Sequence, residues 1–301
     1  MPKIAYINLK FRAGSLAIIE KANEIIAEYA AQGFTLTLRQ IYYQFVARDL
    51  IANKQTEYKR LGSIINDGRL AGLIDWQSIE DRTRNLESNP HWDGPEEILR
   101  SVHRSYGVDL WSTQPARPEV WIEKEALIGV IEPVCQELDV AYFACRGYTS
   151  QSEQWRASMR FRGYIRDGQK PIVLHLGDHD PSGMDMTRDN RDRLDTLRAV
   201  VEVKRLALNM DQVEEHKPPP NPAKFTDSRF AAYMAEYGTE SWELDALEPA
   251  FIADLIRKHV LMYRDEDLWG HATANQENER EKLFALATNW NEVSDFLEGL
   301  E

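Results

Sequence analysis

Four short apolar or β-branched runs, EVWI, VAYFAC, PIVLHL and VEVKRLAL, lie between residues 119 and 208 and are separated by helix-length segments at 125–138, 150–167 and 182–198. This alternation constrains the fold more than any other feature of the chain. Runs without a polar face are what strands buried on both sides look like, and strand–helix–strand alternation predicts right-handed crossovers on a parallel sheet covered on both faces. The expected fold class is therefore α/β, with a mainly parallel four-stranded sheet.

Upstream the periodicity is helical. SLAIIEKANEIIAEYAA, residues 15–31, places Leu16, Ile19, Ala22, Ile25, Ile26 and Tyr29 on one stripe and stops at Gly33. Residues 37–49 predict a second helix and 57–72 a third, and LIDWQSIEDRTRNL has the look of short strands joined by a polar turn. Three helices and a hairpin suggest a winged helix. In that fold the third helix, here with Lys59, Arg60 and Arg69, enters the major groove, while the wing, here with Arg82 and Arg84, meets backbone. The plainer alternative is a small helical domain with a solvated charged face. Pro90, Gly94, Pro95, Pro115 and Pro118 punctuate the next stretch around one helix at 96–106. The boundary falls near 112–118, giving an N-terminal domain at 1–111 and a second at 112–301. PPPNP at 218–222 is a stiff break before a mostly helical, acidic C-terminal region.

The formal net charge of -13 argues against a nucleic-acid partner until its distribution is considered. From Thr239 onward there are 15 acidic and 5 basic residues, whereas residues 1–72 hold 10 basic and 6 acidic ones. The acidity lies in the tail, and a slightly basic N-terminal region permits DNA binding on one face. Only Cys135 and Cys145 occur, which predicts two reduced, buried thiols. The opening residues lack an apolar leader and no run approaches the roughly 18 apolar residues of a membrane span, so a cytoplasmic protein is expected.

Ligands of an open parallel sheet bind beyond the carboxyl ends of its strands. Two of the expected strands end in acids: WIEKEAL delivers Glu123, and HLGDHDPSG delivers Asp178 and Asp180. Three carboxylates on one edge repel one another, and a hard divalent cation, magnesium or manganese, relieves that repulsion. The structural alternative has Asp180 capping the helix that starts near Pro181 and Glu123 paired with Arg146 or Lys124. The third strand ends at Gly147, and Ser150 with Glu153 has capping-box spacing at the next helix start, where backbone N–H groups could meet an anion.

A strand ending in Glu, a glycine turn and a later strand ending in D-x-D-P-x-G resembles the Toprim domain of topoisomerases and primases. WIEKEAL, GDHDPSG, SWELDALEP and the RQIYYQ stretch together resemble the topoisomerase VI A subunit and the meiotic double-strand-break transesterase, over roughly residues 15–260. The helix at 37–49 carries two adjacent tyrosines. Leu38, Ile41, Tyr42, Phe45 and Val46 share a stripe expected to face the core, while Tyr43 lies about 100° away beside Arg39 and is expected to be exposed. A phenol beside a guanidinium suits nucleophilic attack on phosphate, although an ordinary surface or DNA-stacking tyrosine fits the helix as well. The resemblance implies that Tyr43 attacks double-stranded DNA and becomes joined to a 5′ phosphate, with Arg39 steadying the phosphate. It further implies a homodimer that pairs one chain's tyrosine with the other's metal site; since no G-x-x-x-x-G-K loop occurs here, two forms stay open, one served by a separate ATPase B-type subunit and a stand-alone A-like form that only cleaves. Two other functions stay open: a Toprim nuclease in which water attacks, and a non-catalytic DNA-binding scaffold.

Overall fold

A computed structural model of the chain describes residues 3–80, 89–223 and 226–299. Helices α1 (Ala13–Ala30), α2 (Leu38–Ala47) and α3 (Gln55–Leu70) come first, followed by α4 (Pro95–Ser105). Thr37 caps α2 reciprocally with Gln40: the Gln40 N–H donates to the Thr37 hydroxyl and the Gln40 side chain accepts from the Thr37 N–H. This fixes where the tyrosine-bearing helix begins. The three helices enclose a core of Ile19, Ile25, Leu36, Ile41, Phe45, Leu61 and Ile65.

Of the segment expected to form a hairpin, residues 73–80 are described, and these carry no strand. Within residues 73–80 there are turns, with only isolated bridges joining Leu36 to Ile79 and Ala5 to Ala71 nearby. Asp75 explains this: its carboxylate accepts from the Gln77 N–H (2.8 Å) and its carbonyl accepts from the Ser78 hydroxyl (2.8 Å), a local bonding pattern that competes with a strand. The remainder of the expected wing, including Arg82 and Arg84, lies outside the described residues.

The second half is a parallel α/β unit. Strands β1 (Ala116–Ile122), β2 (Ala141–Ala144), β3 (Lys170–Leu176) and β4 (Glu202–Ala207) form one sheet in the order β2-β1-β3-β4, every neighbouring pair parallel. Helix α5 (Ile128–Glu137) joins β1 to β2, α6 (Gln151–Arg166) joins β2 to β3, and α7 (Pro181–Thr196) joins β3 to β4. Alternate residues of β3 supply the two faces: Ile172, Leu174 and Leu176 enter one core with Val130, Ile131, Ile252 and Ile256, while Val173 enters the other with Trp121 and Phe161. Both cysteines are buried and unbridged. Beyond β4 come α8 (Met210–His216), a two-residue ladder of β5 (Asn221–Pro222) with β6 (Glu240–Ser241), and helices α9 (Phe230–Tyr237), α10 (Pro249–Leu261), α11 (Glu266–Thr288) and α12 (Trp290–Glu298). Among the described residues no helix is long and apolar enough to cross a membrane.

Residues 242–248, WELDALE, strap the two halves together. Trp242 exchanges backbone hydrogen bonds with His179 (2.8 and 2.9 Å), and Leu244 and Leu247 enter the sheet core. Ala246 packs on the core of the N-terminal helices, and Glu248 accepts from the Tyr29 hydroxyl and from Gln44.

Leu174 is fully buried at the centre of the sheet. Leu174→Ala should lower unfolding stability by about 2–5 kcal/mol, read from urea denaturation followed by circular dichroism.

Candidate functional site

The order β2-β1-β3-β4 reverses between β1 and β3, so the crevice of this sheet opens at their carboxyl ends. Glu123 follows β1 directly, and Asp178 and Asp180 follow β3, so all three acids sit at that edge. The Glu123 N–H donates to the Leu176 carbonyl (2.8 Å), and Glu123 Oε2 accepts from the Asp178 N–H (2.8 Å). Two glycines make this possible. A side chain at Gly177 would meet Glu123 Oε2 at 2.9 Å, and one at Gly183 would collide with the Asp178 carbonyl.

Each acid has one oxygen engaged. Asp178 Oδ1 accepts from the Leu244 N–H (2.8 Å) and pairs with Lys124 Nζ (3.0 Å). Asp180 caps α7, accepting from the Gly183 N–H (2.6 Å) and the Ser182 hydroxyl (3.1 Å). Glu123 pairs with neither of the cations that might have claimed it: Arg146 turns to Glu125, and Lys124 to other acids. The second oxygens accept no hydrogen bond from described residues. The donors are thus hard oxygens of the kind magnesium and manganese take, yet among the described residues no three His, Cys, Asp or Glu side chains are gathered closely enough to hold a metal ion as they stand. The set fits such an ion in kind and not in present arrangement.

Burial pushes the Asp178 carboxyl up to about 7, with Glu123 and Asp245 adding to the effect and Lys124 opposing it. Burial also raises Glu123. Behind the acids lies Arg205 of β4, which the sequence analysis passed over. Its guanidinium donates to the carbonyls of Gly177 (3.0 Å), Asp178 (2.6 Å) and Gly183 (2.8 Å) and pairs with no carboxylate among the described residues. Burial pulls it down to about 10 while Glu123, Asp178 and Asp180 hold it up. A lone arginine inside the apolar run VEVKRLAL was the available signal.

Tyr43 departs from expectation. It is 4% exposed, as buried as Tyr42 at 5%, because the strap covers the side of α2 that the helix pattern leaves open. Arg39 lies 5.7 Å from the Tyr43 ring centroid and is paired with Glu243 and, at 2.6 Å, with Asp245. Lys124 Nζ completes the cluster, reaching Glu243 (2.8 Å), Asp245 (3.0 Å) and Asp178. Burial would lower the Lys124 ammonium, but Asp245, Asp178 and Glu243 outweigh it and raise its pKa. Burial raises the Tyr43 phenol, with Asp245 and Glu243 adding to it and Arg39 opposing. Glu243 is held down at about 2: burial pushes upward, but Lys124 and Arg39 prevail. The tyrosine helix and the acidic edge are therefore joined within one chain through Arg39, Glu243, Asp245 and Lys124. Glu243 and Asp245 sit in the SWELDALEP motif, but nothing local in the sequence tells what they touch.

The expected DNA-contacting cations divide. Lys59 and Arg60 are exposed on α3, Arg60 in a pair with Glu57. Arg69 instead turns inward, donating to the Trp76 and Ile79 carbonyls with its guanidinium 5.0 Å from the Trp76 ring centroid. It braces the turn at residues 76–79. Arg82 and Arg84 are not among the described residues.

Gly183→Ala should disturb the Asp178 backbone and destabilise the chain by at least about 1–3 kcal/mol, seen as a lower denaturation midpoint. Asp178 gives a pH test. Its carboxyl titrates from 3.8 ordinarily to about 7 here, so between those values the folded state binds more protons and stability falls as pH rises. Without divalent ions, Asp178→Asn should gain stability relative to wild type from pH 4 to about 7 and level off above, in urea denaturation at fixed ionic strength. A gap that narrows over that range would contradict the assignment.

No family model, curated protein or solved structure matches the chain, so the chemistry of the site rests on its own side chains.

Proposed function

We propose that the chain is a DNA-cleaving transesterase resembling the topoisomerase VI A subunit, with a winged-helix-like N-terminal part and a Toprim-like sheet. The observation that carries this reading is the placement of Tyr43 at the wall of a cleft, beside Arg39 and Glu243, in a side-chain cluster that continues through Lys124 to Asp178 at the sheet's switch point. Tyr43 Oη attacks a backbone phosphorus of double-stranded DNA. As the Oη–P bond forms the P–O3′ bond breaks, the phenolic proton leaves past the Glu243 carboxylate to water, and the freed 3′ oxygen takes up a proton. The strand stays joined as a 5′-phosphotyrosyl ester, whose bond energy permits resealing. Arg39 places positive charge beside the attacked phosphate once DNA competes it away from Glu243. Magnesium or manganese on Glu123, Asp178 and Asp180 would supply Lewis-acid charge to the reacting phosphate. A homodimer and a separate ATPase subunit belong to the same reading.

One observation favours a second reading, a metal-dependent nuclease in which water attacks. Tyr43 is buried with a raised pKa, and Arg39 is already paired, so the phenol is not activated in the free protein.

The two readings separate on covalent capture. With end-labelled duplex and manganese, wild type should yield protein-linked label after denaturation, and Tyr42→Phe should retain it. Tyr42 loses a hydroxyl bond to Asn53 (2.9 Å), a cost of about 0.5–1.5 kcal/mol in stability. Tyr43→Phe should fold and bind DNA but form no adduct. Equal adducts from Tyr43→Phe and wild type would sink the nucleophile assignment, and cleavage by wild type without any adduct would establish the water reading.

A further inference from the structure

The cleft beside Tyr43 has a volume of about 340 Å³, near the lower end of small-molecule sites. Its apolar wall is aromatic: Tyr42 meets Tyr43 and Tyr58 edge to face, both with ring centroids 5.3 Å apart. Its polar wall is held in place. The Tyr42 hydroxyl donates to Asn53, Asn53 donates to Asn221 (2.6 Å), and Asn221 donates to Glu243 (3.3 Å). At the rim, the Lys54 ammonium, the Gln55 amide and the Tyr58 hydroxyl form no hydrogen bond or ion pair with described residues. Glu243 also lines the cleft, but its charge is matched by Arg39 and Lys124.

A bare phosphate would have use for the cations and none for the rings or amides. A nucleotide uses all three: its base lies on aromatic faces without regard to sequence, an amide reaches the base edge, and its phosphate meets a cation. We propose that this cleft holds one unpaired nucleotide of the DNA strand, its base against the half-buried Tyr58, which Tyr42 backs edge-on, and its 5′-phosphate between Lys54 and Arg39. The inference rests on Tyr43 being the group that meets DNA. Unpairing that base costs a few kcal/mol in a perfect duplex and much less at a mismatch or bulge, so the cleft selects DNA that is already distorted there.

The test titrates 2-aminopurine deoxyriboside 5′-monophosphate into the full chain and follows its fluorescence. Saturable quenching is expected, with inorganic phosphate competing at least tenfold more weakly than deoxyadenosine 5′-monophosphate. Lys54→Ala and Gln55→Ala change exposed side chains and should fold normally. Tyr58→Ala should weaken binding about tenfold or more, and Tyr58→Phe should restore it. A duplex with a single unpaired 2-aminopurine should bind more tightly than the fully paired duplex, which distinguishes a strand nucleotide from a free one. Absence of saturable quenching, equal competition by phosphate, or wild-type binding by both Lys54→Ala and Tyr58→Ala would overturn the proposal. Quenching without a covalent adduct would leave this site standing and remove the transesterase reading. An adduct without quenching would do the reverse.

Discussion

The ammonium of Lys124, enclosed by Asp178, Glu243 and Asp245, is the contact on which the arrangement depends. A buried cation is tolerated only when opposite charge surrounds it at hydrogen-bonding distance, and the acids need the cation as much as it needs them. The three acids come from the end of β3 and from the strap, while Lys124 follows β1. Arg39 then joins α2 to the same acids. Four separate stretches of chain are thus held by one charge cluster, and loss of Lys124 would leave Glu243 and Asp245 with Arg39 alone as their cation in a low-dielectric setting.

That cluster also sets the chemical state of the candidate nucleophile. Burial first, and after it the acids that fix Arg39, raise the Tyr43 phenol, and those acids hold the guanidinium in ion pairs. A phosphate entering the cleft changes both at once: it brings charge that competes for Arg39, and in doing so alters the field at the phenol. Under the proposed transesterase reading, reactivity would belong to the complex with DNA rather than to the free chain, and the ion pairs that hold the fold would disfavour attack on stray phosphates.

The parallel sheet was legible because strands covered on both faces have no polar side to hide, and Val120 through Ile122 and Ile172 through Leu174 read as unbroken apolar runs. The three N-terminal helices were legible from the 3.6-residue spacing of residues such as Ile19, Ala22 and Ile25. The acids at the strand ends followed from topology alone. What escaped is what depends on distant partners. Tyr43 reads as exposed on its own helix and is buried by residues some 200 positions away. Arg69 reads as a groove-facing cation and is drawn inward by the Trp76 and Ile79 carbonyls. Asp75, one residue able to close a turn on itself, sets a turn at 75–78 inside the expected hairpin segment.

Arg205 has a different kind of consequence. Its guanidinium is satisfied by carbonyl oxygens, so its full positive charge remains unneutralised behind the acidic edge. Mobile ions cannot approach a charge enclosed in protein, and its field is therefore nearly independent of ionic strength, unlike that of the exposed Lys59 and Arg60. The chain carries two electrostatic scales in consequence: an outer one that salt screens, and an inner one, fixed by the fold, that acts on the acids whatever the ionic strength.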